Sequence, residues 1–577
     1  MTGLALALGW PVTASAQTQE PPGLPQTQPE LPQNLMQQNR PQGPAAAFNW
    51  PEVDEDLPYL SPQDPAFRLR DIELTDTAPA DTPLLAPGQL AKIYEEYKGK
   101  TITVSTLFTI RNRLAAEYRK HGYFLTRVIL RPQTLSPGED GETVYMDVVQ
   151  GVITDIELAG DAGPVGGRIL AMAGRLKDRT GVRMQDVERL LLLIQDLPGI
   201  AVRARFSAAP DSRRNGQVRL TLEVARTAYS GIANIDNRGS SFVGPWQIGA
   251  GLSLNAMTSL GERVEAYLFS AGGQEQLYGQ LAVTLPVGLD GTLLRVHGGY
   301  GPSRPGGTLG QAGFESTVLV AGATLSHPVI RSRRTNLTLA AGVTVNNADI
   351  DLNPPDATSQ RLSESHLRVL RLSADLSYLD GWRGATQLSA AFDRGLHIFG
   401  ATPRNAALTA RPQSTPEMDK LSARITRRQA LESWGTVDLD LVASLVGQYA
   451  FDVLPPSQKA QLGGMEIGRG YYYGQLTGDH MAGGSLELVA TRSLDWSLAG
   501  SSTGLYGFYD YGTVWNIADS DPPRRHLHSL GGGMRLRLGR FAELETEYAR
   551  RLSRNPTAAI GERLGKDKVS IKLTGKF

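Results

Sequence analysis

The 577-residue chain contains no cysteine, which excludes disulfide frameworks, thiolate metal sites and cysteine nucleophiles. It has no excess charge either, because 58 basic residues balance 58 acidic ones, so no global basic field attracts nucleic acid. Long apolar runs are also missing: the densest, at residues 190–194, is far shorter than the roughly 18 residues of a membrane-spanning helix. A membrane protein of this composition would have to be a closed β-barrel, and a soluble multidomain protein is the alternative.

The motifs of common enzymes are absent as well. The sequence KGKT at residues 98–101 ends like a phosphate-binding loop, but Tyr94 stands where that loop requires its first glycine. The eight histidines are scattered, no helical His-Glu-x-x-His occurs, and no Gly-x-Ser-x-Gly elbow is present. We therefore expect no enzyme, no metal site and no cofactor, although the sequence alone leaves a Ser-His-Asp set open.

The first residues predict export from the cytoplasm. Residues 3–10 form a short apolar core, and small residues at Ala14 and Ala16 fit a secretory cleavage site. The basic residues that usually precede such a core are missing, since the first basic residue is Arg40. We interpret residues 1–16 as a signal peptide, with a disordered apolar tail as the alternative. Residues 17–66 are rich in proline and glutamine and predict an extended linker.

Two small α/β modules in tandem are predicted next, at residues 67–150 and 151–226. The first has the order strand, helix, helix, strand, strand, over residues 67–74, 89–97, 106–121, 123–130 and 143–149. Its first strand alternates with one slip, and Ser105 is the expected N-cap of its second helix. The second module repeats the order over residues 152–158, 167–176, 184–196, 201–208 and 217–224.

From residue 227 onward, helical periodicity gives way to alternating segments of about ten residues separated by turns, the pattern of a transmembrane barrel. Residues 276–285, 437–443 and 542–548 are examples. In the last of these, three glutamates share one face, and the preceding strand carries Arg535 and Arg537 on one face across a turn at residues 539–540. Such charges suit a polar lumen, although the water-facing side of a β-sandwich would alternate in the same way.

The length and the last segment favour the barrel. About 350 residues, at roughly 20 to 22 residues per strand with its loop, give a transmembrane antiparallel β-barrel of about sixteen strands. Residues 568–577 alternate between apolar and polar members and finish on Phe577, which we interpret as the signal for insertion into the outer membrane.

Several stretches resemble one known family. They are YKGKTI at residues 97–102, YRKHGY at 118–123, RVILRPQ at 127–133, VQGVI at 149–153 and IDNRGS at 235–240. Together they are similar to the two-partner secretion transporters, the haemolysin and adhesin secretion–activation branch of the outer-membrane assembly and secretion superfamily. The resemblance implies two periplasmic polypeptide-transport-associated (POTRA) modules, at residues 67–150 and 151–226, before a barrel at residues 227–577.

Two motifs carry the functional part of this resemblance. IGRGY at residues 467–471 resembles the family's [VI]-R-G-[YF] tip of a long loop folded into the barrel, with Gly468 inserted, and FYDYG at residues 508–512 matches its F-x-D-x-G strand motif. The resemblance implies that Arg469 pairs with Asp510 on the barrel wall; the alternative is a surface turn and an unrelated loop residue. The residues assigned to the two motifs are Ile467, Arg469, Gly470 and Tyr471, and Phe508, Asp510 and Gly512.

The function implied by the resemblance is transport of a polypeptide. An unfolded exported partner, a large β-helical exoprotein of the adhesin or haemolysin type, would be captured in the periplasm and threaded through the barrel. The strand expected at residues 123–130, with Tyr123, Val128 and Leu130, would offer an edge for β-augmentation. The other expected partners are outer-membrane lipid and the barrel-assembly machinery, with no nucleic acid, and the linker would carry a plug helix.

Two other functions remain open at this stage. An insertase of the same superfamily would act on barrels within the outer membrane, and it usually carries more than two POTRA copies. A passive porin would explain the barrel but not the modules that precede it.

Overall fold

The computed structural model describes residues 65–76, 83–135, 140–209, 216–239, 243–354, 358–411, 413–495, 500–518, 524–553 and 565–577. The signal peptide expected at residues 1–16 and the plug helix expected in the linker lie outside these ranges. Among the described residues, no helix has both the length and the apolar character needed to cross a membrane. The chain divides into two compact units, one ending at Arg226 and one running from Thr227 to Phe577.

The first module is a four-stranded sheet with two helices. Its elements are β1 (Ala66–Asp76), α1 (Pro87–Tyr94), β2 (Thr101–Thr103), α2 (Val104–Lys120), β3 (Arg127–Leu130) and β4 (Glu142–Val149). The sheet has the order β2-β1-β4-β3, with β1 and β4 parallel. The slip in the alternation of β1 is a bulge between Leu69 and Asp71, which lets Leu69 and Ile72 both enter the core.

Three details of this module differ from the sequence predictions. The strand expected at residues 123–130 begins only at Arg127, because Tyr123 and Phe124 lie in the turn that follows α2. The short strand β2 was not predicted. The N-cap of α2 is Thr103, whose hydroxyl accepts a hydrogen bond from the Thr106 N–H at 3.4 Å, and Ser105 lies inside the helix.

The second module repeats the arrangement with three strands. Its elements are β5 (Val152–Gly160), α3 (Gly166–Ala173), α4 (Met184–Gln195), β6 (Ile200–Ala208) and β7 (Gln217–Arg226), with the sheet order β5-β7-β6. The apolar face of α4 packs into the core because Val187, Leu191 and Ile194 recur at helical spacing. The two modules meet where the Met184 N–H donates to the Gly122 carbonyl at 2.9 Å.

In the second unit, sixteen antiparallel strands among the described residues form a closed barrel, which confirms the predicted fold and excludes the sandwich. The barrel strands are β8 (Tyr229–Asp236), β9 (Gln247–Asn255), β10 (Arg263–Ala271), β11 (Gln276–Val287), β12 (Thr292–Ser303), β13 (Phe314–Arg331), β14 (Thr335–Leu352), β15 (Gln360–Leu379), β16 (Gly384–Gly395), β17 (Asp419–Trp434), β18 (Val437–Ala450), β21 (His480–Ser493), β22 (Ser502–Trp515), β23 (Arg525–Leu538), β24 (Ala542–Arg551) and β25 (Asp567–Lys576). Two further strands, β19 (Ala460–Leu462) and β20 (Leu476–Gly478), belong to the loop between β18 and β21 and form a separate two-stranded sheet that is not part of the barrel wall.

The two faces of the barrel wall differ in chemistry. Apolar side chains stand exposed on the outer face, as lipid contact requires, and examples are Leu268, Leu281, Leu445, Leu505 and Val569. The charged residues of β23 and β24 face the lumen in register, with Arg535 opposite Glu545 and Arg537 opposite Glu543. The turn between these strands spans residues 539–541, one residue longer than predicted, because Leu538 pairs with Ala542.

Connections are short at one end of the barrel and long at the other. The turns at residues 332–334, 380–383 and 435–436 lie at the end where β8 begins. At the opposite end, β16, β18 and β24 end before the long connections of residues 396–418, 451–479 and 552–566, and a short helix, α5 (Gly307–Ala312), lies in another loop there. This asymmetry is typical of outer-membrane barrels, whose short turns face the periplasm.

Candidate functional site in the barrel lumen

The longest loop of the barrel, residues 451–479 between β18 and β21, carries the predicted tip motif. We call it the inserted loop, because its tip is buried against strands of the barrel wall. The apolar cluster at this contact joins Leu462, Ile467, Tyr471 and Leu476 of the loop to Val514 and Leu527 of the wall. Tyr471 is fully buried and Ile467 is 4% exposed, so the motif does not lie in a surface turn.

Asp510, on the lumen face of β22, holds both the backbone and the side chain of the tip. Its Oδ2 accepts hydrogen bonds from the Gly468 N–H at 3.1 Å, the Arg469 N–H at 3.0 Å and the Arg469 Nε at 3.2 Å. Its Oδ1 accepts from Arg469 Nη2 at 3.0 Å and from the Ser485 hydroxyl at 2.7 Å. The structure thus brings Arg469 and Asp510 together in the bidentate geometry that makes arginine–carboxylate pairs strong.

The Arg469 guanidinium has further partners on the barrel wall. Its Nη1 donates to Glu487 of β21 and lies 3.7 Å from Glu547 Oε2 of β24, and Nη2 donates to the Ser485 hydroxyl at 3.0 Å. The guanidinium also lies 3.5 Å from the centre of the Phe508 ring, which gives that motif residue a cation–π contact. A buried cation needs such a set of acceptors, because burial without them would be very costly.

The next two residues of the tip bind the last strands of the barrel. The Gly470 carbonyl accepts from Arg551 Nε of β24 at 2.5 Å, and the Tyr471 carbonyl accepts from Lys568 Nζ of β25 at 3.2 Å. The Tyr471 hydroxyl lies 3.1 Å from the His528 carbonyl and 3.0 Å from the Ser553 carbonyl. The tip therefore contacts the lumen face of the wall from β21 to β25.

Glycines make room for this contact at three places. A Cβ at Gly512 would lie 2.7 Å from the Leu462 side chain and 3.3 Å from Ile467, so the F-x-D-x-G glycine accommodates the inserted loop. A Cβ at Gly470 would lie 3.2 Å from Ser529. Gly468, the departure from the family motif, has φ of +85°, a conformation that other residues rarely adopt.

A second buried ion pair holds the base of the inserted loop. Arg411, in the loop at residues 396–418, donates to both carboxylate oxygens of Asp479 at 2.6 and 2.8 Å, and the two side chains are 1% and 0% exposed. The same carboxylate accepts from the N–H groups of Leu454 and Ile517 at 3.0 and 2.8 Å. The base is thereby fixed to two neighbouring loops.

The other residues singled out from the sequence lie in the first module and at the end of β25. Val128 and Leu130 lie on β3, an edge strand, whereas Tyr123 is buried at the junction of the two modules, where Arg183 Nη2 donates to its hydroxyl at 3.0 Å. Phe577 exchanges two backbone hydrogen bonds with Gly231 of β8, at 2.9 and 3.1 Å. Its ring covers Gly231, where a Cβ would lie 2.1 Å from it.

Sequence reasoning missed several residues that bind the tip. They are Ser485, Glu487, Arg551 and Lys568, which all face the lumen. The alternation of their strands could have placed them on that face, but only the register of the closed barrel shows which of the many lumen-facing polar residues meet the tip.

Comparison with known families agrees with this geometry. Residues 215–536, more than half of the chain, match the family model of the haemolysin secretion/activation protein ShlB/FhaC/HecB, and residues 67–151 match the ShlB-type POTRA domain. The chain belongs to the ShlB/FhaC/HecB family. It is therefore an outer-membrane transporter of the two-partner secretion class, with its POTRA modules in the periplasm.

Individual proteins are similar to this transporter over most of the chain. A heme/hemopexin transporter protein HuxB of Haemophilus influenzae is 22% identical over 456 residues, which cover 77% of each protein. CdiB from Escherichia coli has a TM-score of 0.68 with 19% identity, over 94% of this chain and 97% of CdiB. CdiB from Acinetobacter baumannii has a TM-score of 0.62 with 16% identity, over 95% and 96%.

Proposed function

We propose that this transporter captures an unfolded exported protein in the periplasm and passes it through its barrel to the cell surface or the medium. The observation that carries the proposal is the inserted loop, whose tip is held inside the barrel by polar contacts with Asp510 and Glu487. When a polypeptide displaces the loop, water can replace these polar contacts. The lumen can therefore alternate between a state filled by the loop and a state open to the polypeptide.

The client is proposed to be a large secreted exoprotein with a β-helical fold. Family membership supports a secreted protein client, and the name of one relative, the heme/hemopexin transporter HuxB, points to transport of specific cargo. The barrel would sit in outer-membrane lipid after insertion by the barrel-assembly machinery, with Phe577 as the insertion signal and residues 1–16 as the export signal. Folding of the client outside the cell would give transport its direction.

Capture is proposed to use the edge of β3 that faces away from β4, which is unpaired among the described residues. The Arg131 N–H donates to the carbonyl of Tyr145 on β4. In an antiparallel ladder, every second residue directs its N–H and C=O groups to the partner strand. The backbone groups of Val128 and Leu130 therefore point away from β4. Their side chains stay with the first module, Val128 buried and Leu130 partly buried, while their backbone groups can pair with an extended client of almost any sequence.

The edge can be tested with proline. Leu130→Pro removes an N–H that points away from β4, so it should reduce secretion while the module stays folded. Ile129→Pro is the matched control for damage to the fold, because it removes a hydrogen bond to β4. Normal secretion by the Leu130→Pro transporter would contradict capture at this edge.

The function itself is tested by comparing the culture medium and the outer membrane of a strain lacking this protein with those of the complemented strain. Loss of one large protein from the medium, with outer-membrane barrels unchanged, is the expected result. A normal medium with several barrels depleted would instead support an insertase.

A further inference from the structure

The barrel closes through its shortest ladder. β25 and β8 pair over five residues, to which Phe577 adds one backbone pair with Gly231, whereas β8 and β9 pair over eight and β14 and β15 over eighteen. We call the β25–β8 ladder the seam. Since cross-strand hydrogen bonds and side-chain pairs stabilise a sheet, a short ladder opens more easily than a long one unless other contacts reinforce it.

Asn237 prolongs the seam beyond the end of β8. Its backbone N–H donates to the Ile571 carbonyl at 3.3 Å, and its side-chain Oδ1 accepts from the Ile571 N–H at 2.8 Å. Its Nδ2 donates to the Val569 carbonyl at 3.2 Å. The amide side chain therefore takes over the pairing of β25 where the backbone of β8 turns away.

Arg238 reaches past β25 to the next strand. Its Nη2 lies 3.3 Å from Glu545 Oε1 and its Nη1 lies 3.4 Å from Glu547 Oε1, both on β24. The Arg238 side chain is 8% exposed and that of Glu547 is 1% exposed, so these ion pairs are shielded from solvent. One side chain thus ties the segment that follows the first strand of the barrel to the strand before the last.

Glu547 connects this bridge to the inserted loop. Its Oε2 lies 3.7 Å from Arg469 Nη1, while its Oε1 faces Arg238. The Tyr506 hydroxyl, 3.0 Å from Glu545 and from Glu547, holds the two carboxylates in place. The loop tip and the seam therefore share one buried carboxylate.

We propose that Asn237 and Arg238 form a clasp that keeps the seam closed, and that Glu547 couples the clasp to the position of the loop tip. Departure of Arg469 from the lumen removes one of the two guanidinium groups beside Glu547 and thereby strengthens the pair of Glu547 with Arg238. This assigns a role to the Asp-Asn-Arg segment at the barrel entry, and it rests on the proposed function only in taking the loop to move during transport.

Seam opening can be measured by cysteine cross-linking, because the chain has no cysteine of its own. Ile235 and Leu573 face each other across the seam, so Ile235→Cys with Leu573→Cys reports on its closure. Ile235→Cys with Ile248→Cys is the control pair in the β8–β9 ladder.

Asn237→Ala removes the side-chain hydrogen bonds to β25, and Arg238→Ala removes the ion pairs with Glu545 and Glu547. We expect each variant to raise the open fraction of the seam about tenfold. Cross-linking of the control pair should not change.

Arg428→Ala is the matched control variant, because Arg428 pairs with Asp440 on strands far along the wall from the seam. Heat-modifiable migration in gels shows whether each variant forms a folded barrel. If Arg238→Ala does not, the double variant Glu545→Gln with Glu547→Gln removes the same two ion pairs by changing their partners on β24. Coupling predicts that Arg469→Ala, which leaves Glu547 to Arg238, raises cross-linking at the seam, and an unchanged value would count against the coupling. Unchanged seam cross-linking in folded clasp variants would overturn the clasp, whatever happens to secretion. A looser seam with normal secretion would support the clasp and count against its part in transport.

Discussion

Removal of the Arg469 guanidinium is the most direct perturbation of the inserted loop. In Arg469→Ala, Asp510 and Glu487, whose side chains are 0% and 8% exposed, lose the guanidinium that lies between them, and only Glu487 keeps another arginine, Arg535, at 2.8 Å. Breaking a buried pair from one side costs about 3–5 kcal/mol, and entry of lumen water argues for the lower figure. A loss of about 3 kcal/mol raises the population of the undocked loop by roughly a hundredfold.

Labelling of a single cysteine reports on that population. Ser529 is fully buried beneath the tip, where the Gly470 N–H lies 3.5 Å from its hydroxyl, so Ser529→Cys should react slowly with a maleimide while the loop is docked. Adding Arg469→Ala should accelerate labelling and reduce secretion. Arg537→Ala is the control, because Arg537 is also a lumen-facing arginine of the wall but is 60% exposed and pairs with Glu543 alone among the described ion pairs.

The reasoning would be refuted by an Arg469→Ala transporter that labels as slowly as its parent and secretes normally. Faster labelling with normal secretion would show that the contact holds the loop but that docking is not required for transport.

Three further variants test the packing and the charges. Gly512→Val places side-chain atoms where Leu462 and Ile467 lie, so labelling at Ser529→Cys should rise as in Arg469→Ala. Gly468→Ala meets both a φ of +85° and a Leu527 methyl at 2.4 Å, and should cost at least about 1 kcal/mol of docking, seen in the same assay. In the first module, the hydrogen bond from Lys98, at 2.7 Å, lowers the pKa of Asp71. Because that pair is exposed, Lys98→Ala should raise hydrogen exchange around β1 by an amount worth less than about 1 kcal/mol, and the difference should vanish as the pH falls through the folded-state pKa of Asp71.

The local periodicity of apolar residues in the sequence was sufficient to predict most of the fold. Chain length at a fixed number of residues per strand predicted sixteen strands, and the slip in β1 marked a real bulge. The prediction of a strand over residues 123–130 was wrong at its start, because the aromatic residues Tyr123 and Phe124 are of a type that is common in strands. Both instead pack at the junction of the two modules, Phe124 against the Phe206 ring at 5.2 Å. Tertiary contacts of this kind leave no periodic signal.

The site was only partly predictable for a different reason. The two motifs identified Arg469 and Asp510 from residues far apart in the chain, and the structure brings them together. Glu487 and Glu547 could not be assigned to the tip, since many lumen-facing residues on these strands are charged and the choice among them depends on how far the loop enters the barrel. Glu547 also meets Arg238, a contact that exists only because the barrel closes.

The chemistry of the docked tip follows from the need to release it. Apolar burial alone would hold the loop in place, but release would then expose that apolar surface to water in the lumen. The pairs of Arg469 with Asp510 and Glu487 behave differently, because the separated charges regain hydration when the loop leaves. The loop therefore combines a small apolar cluster around Ile467 and Tyr471, which fixes its position, with charges that lower the free-energy difference between the docked and released states. Because Glu547 also binds Arg238, each release changes the electrostatic balance at the seam, and closure of the lumen and closure of the barrel are linked through one carboxylate.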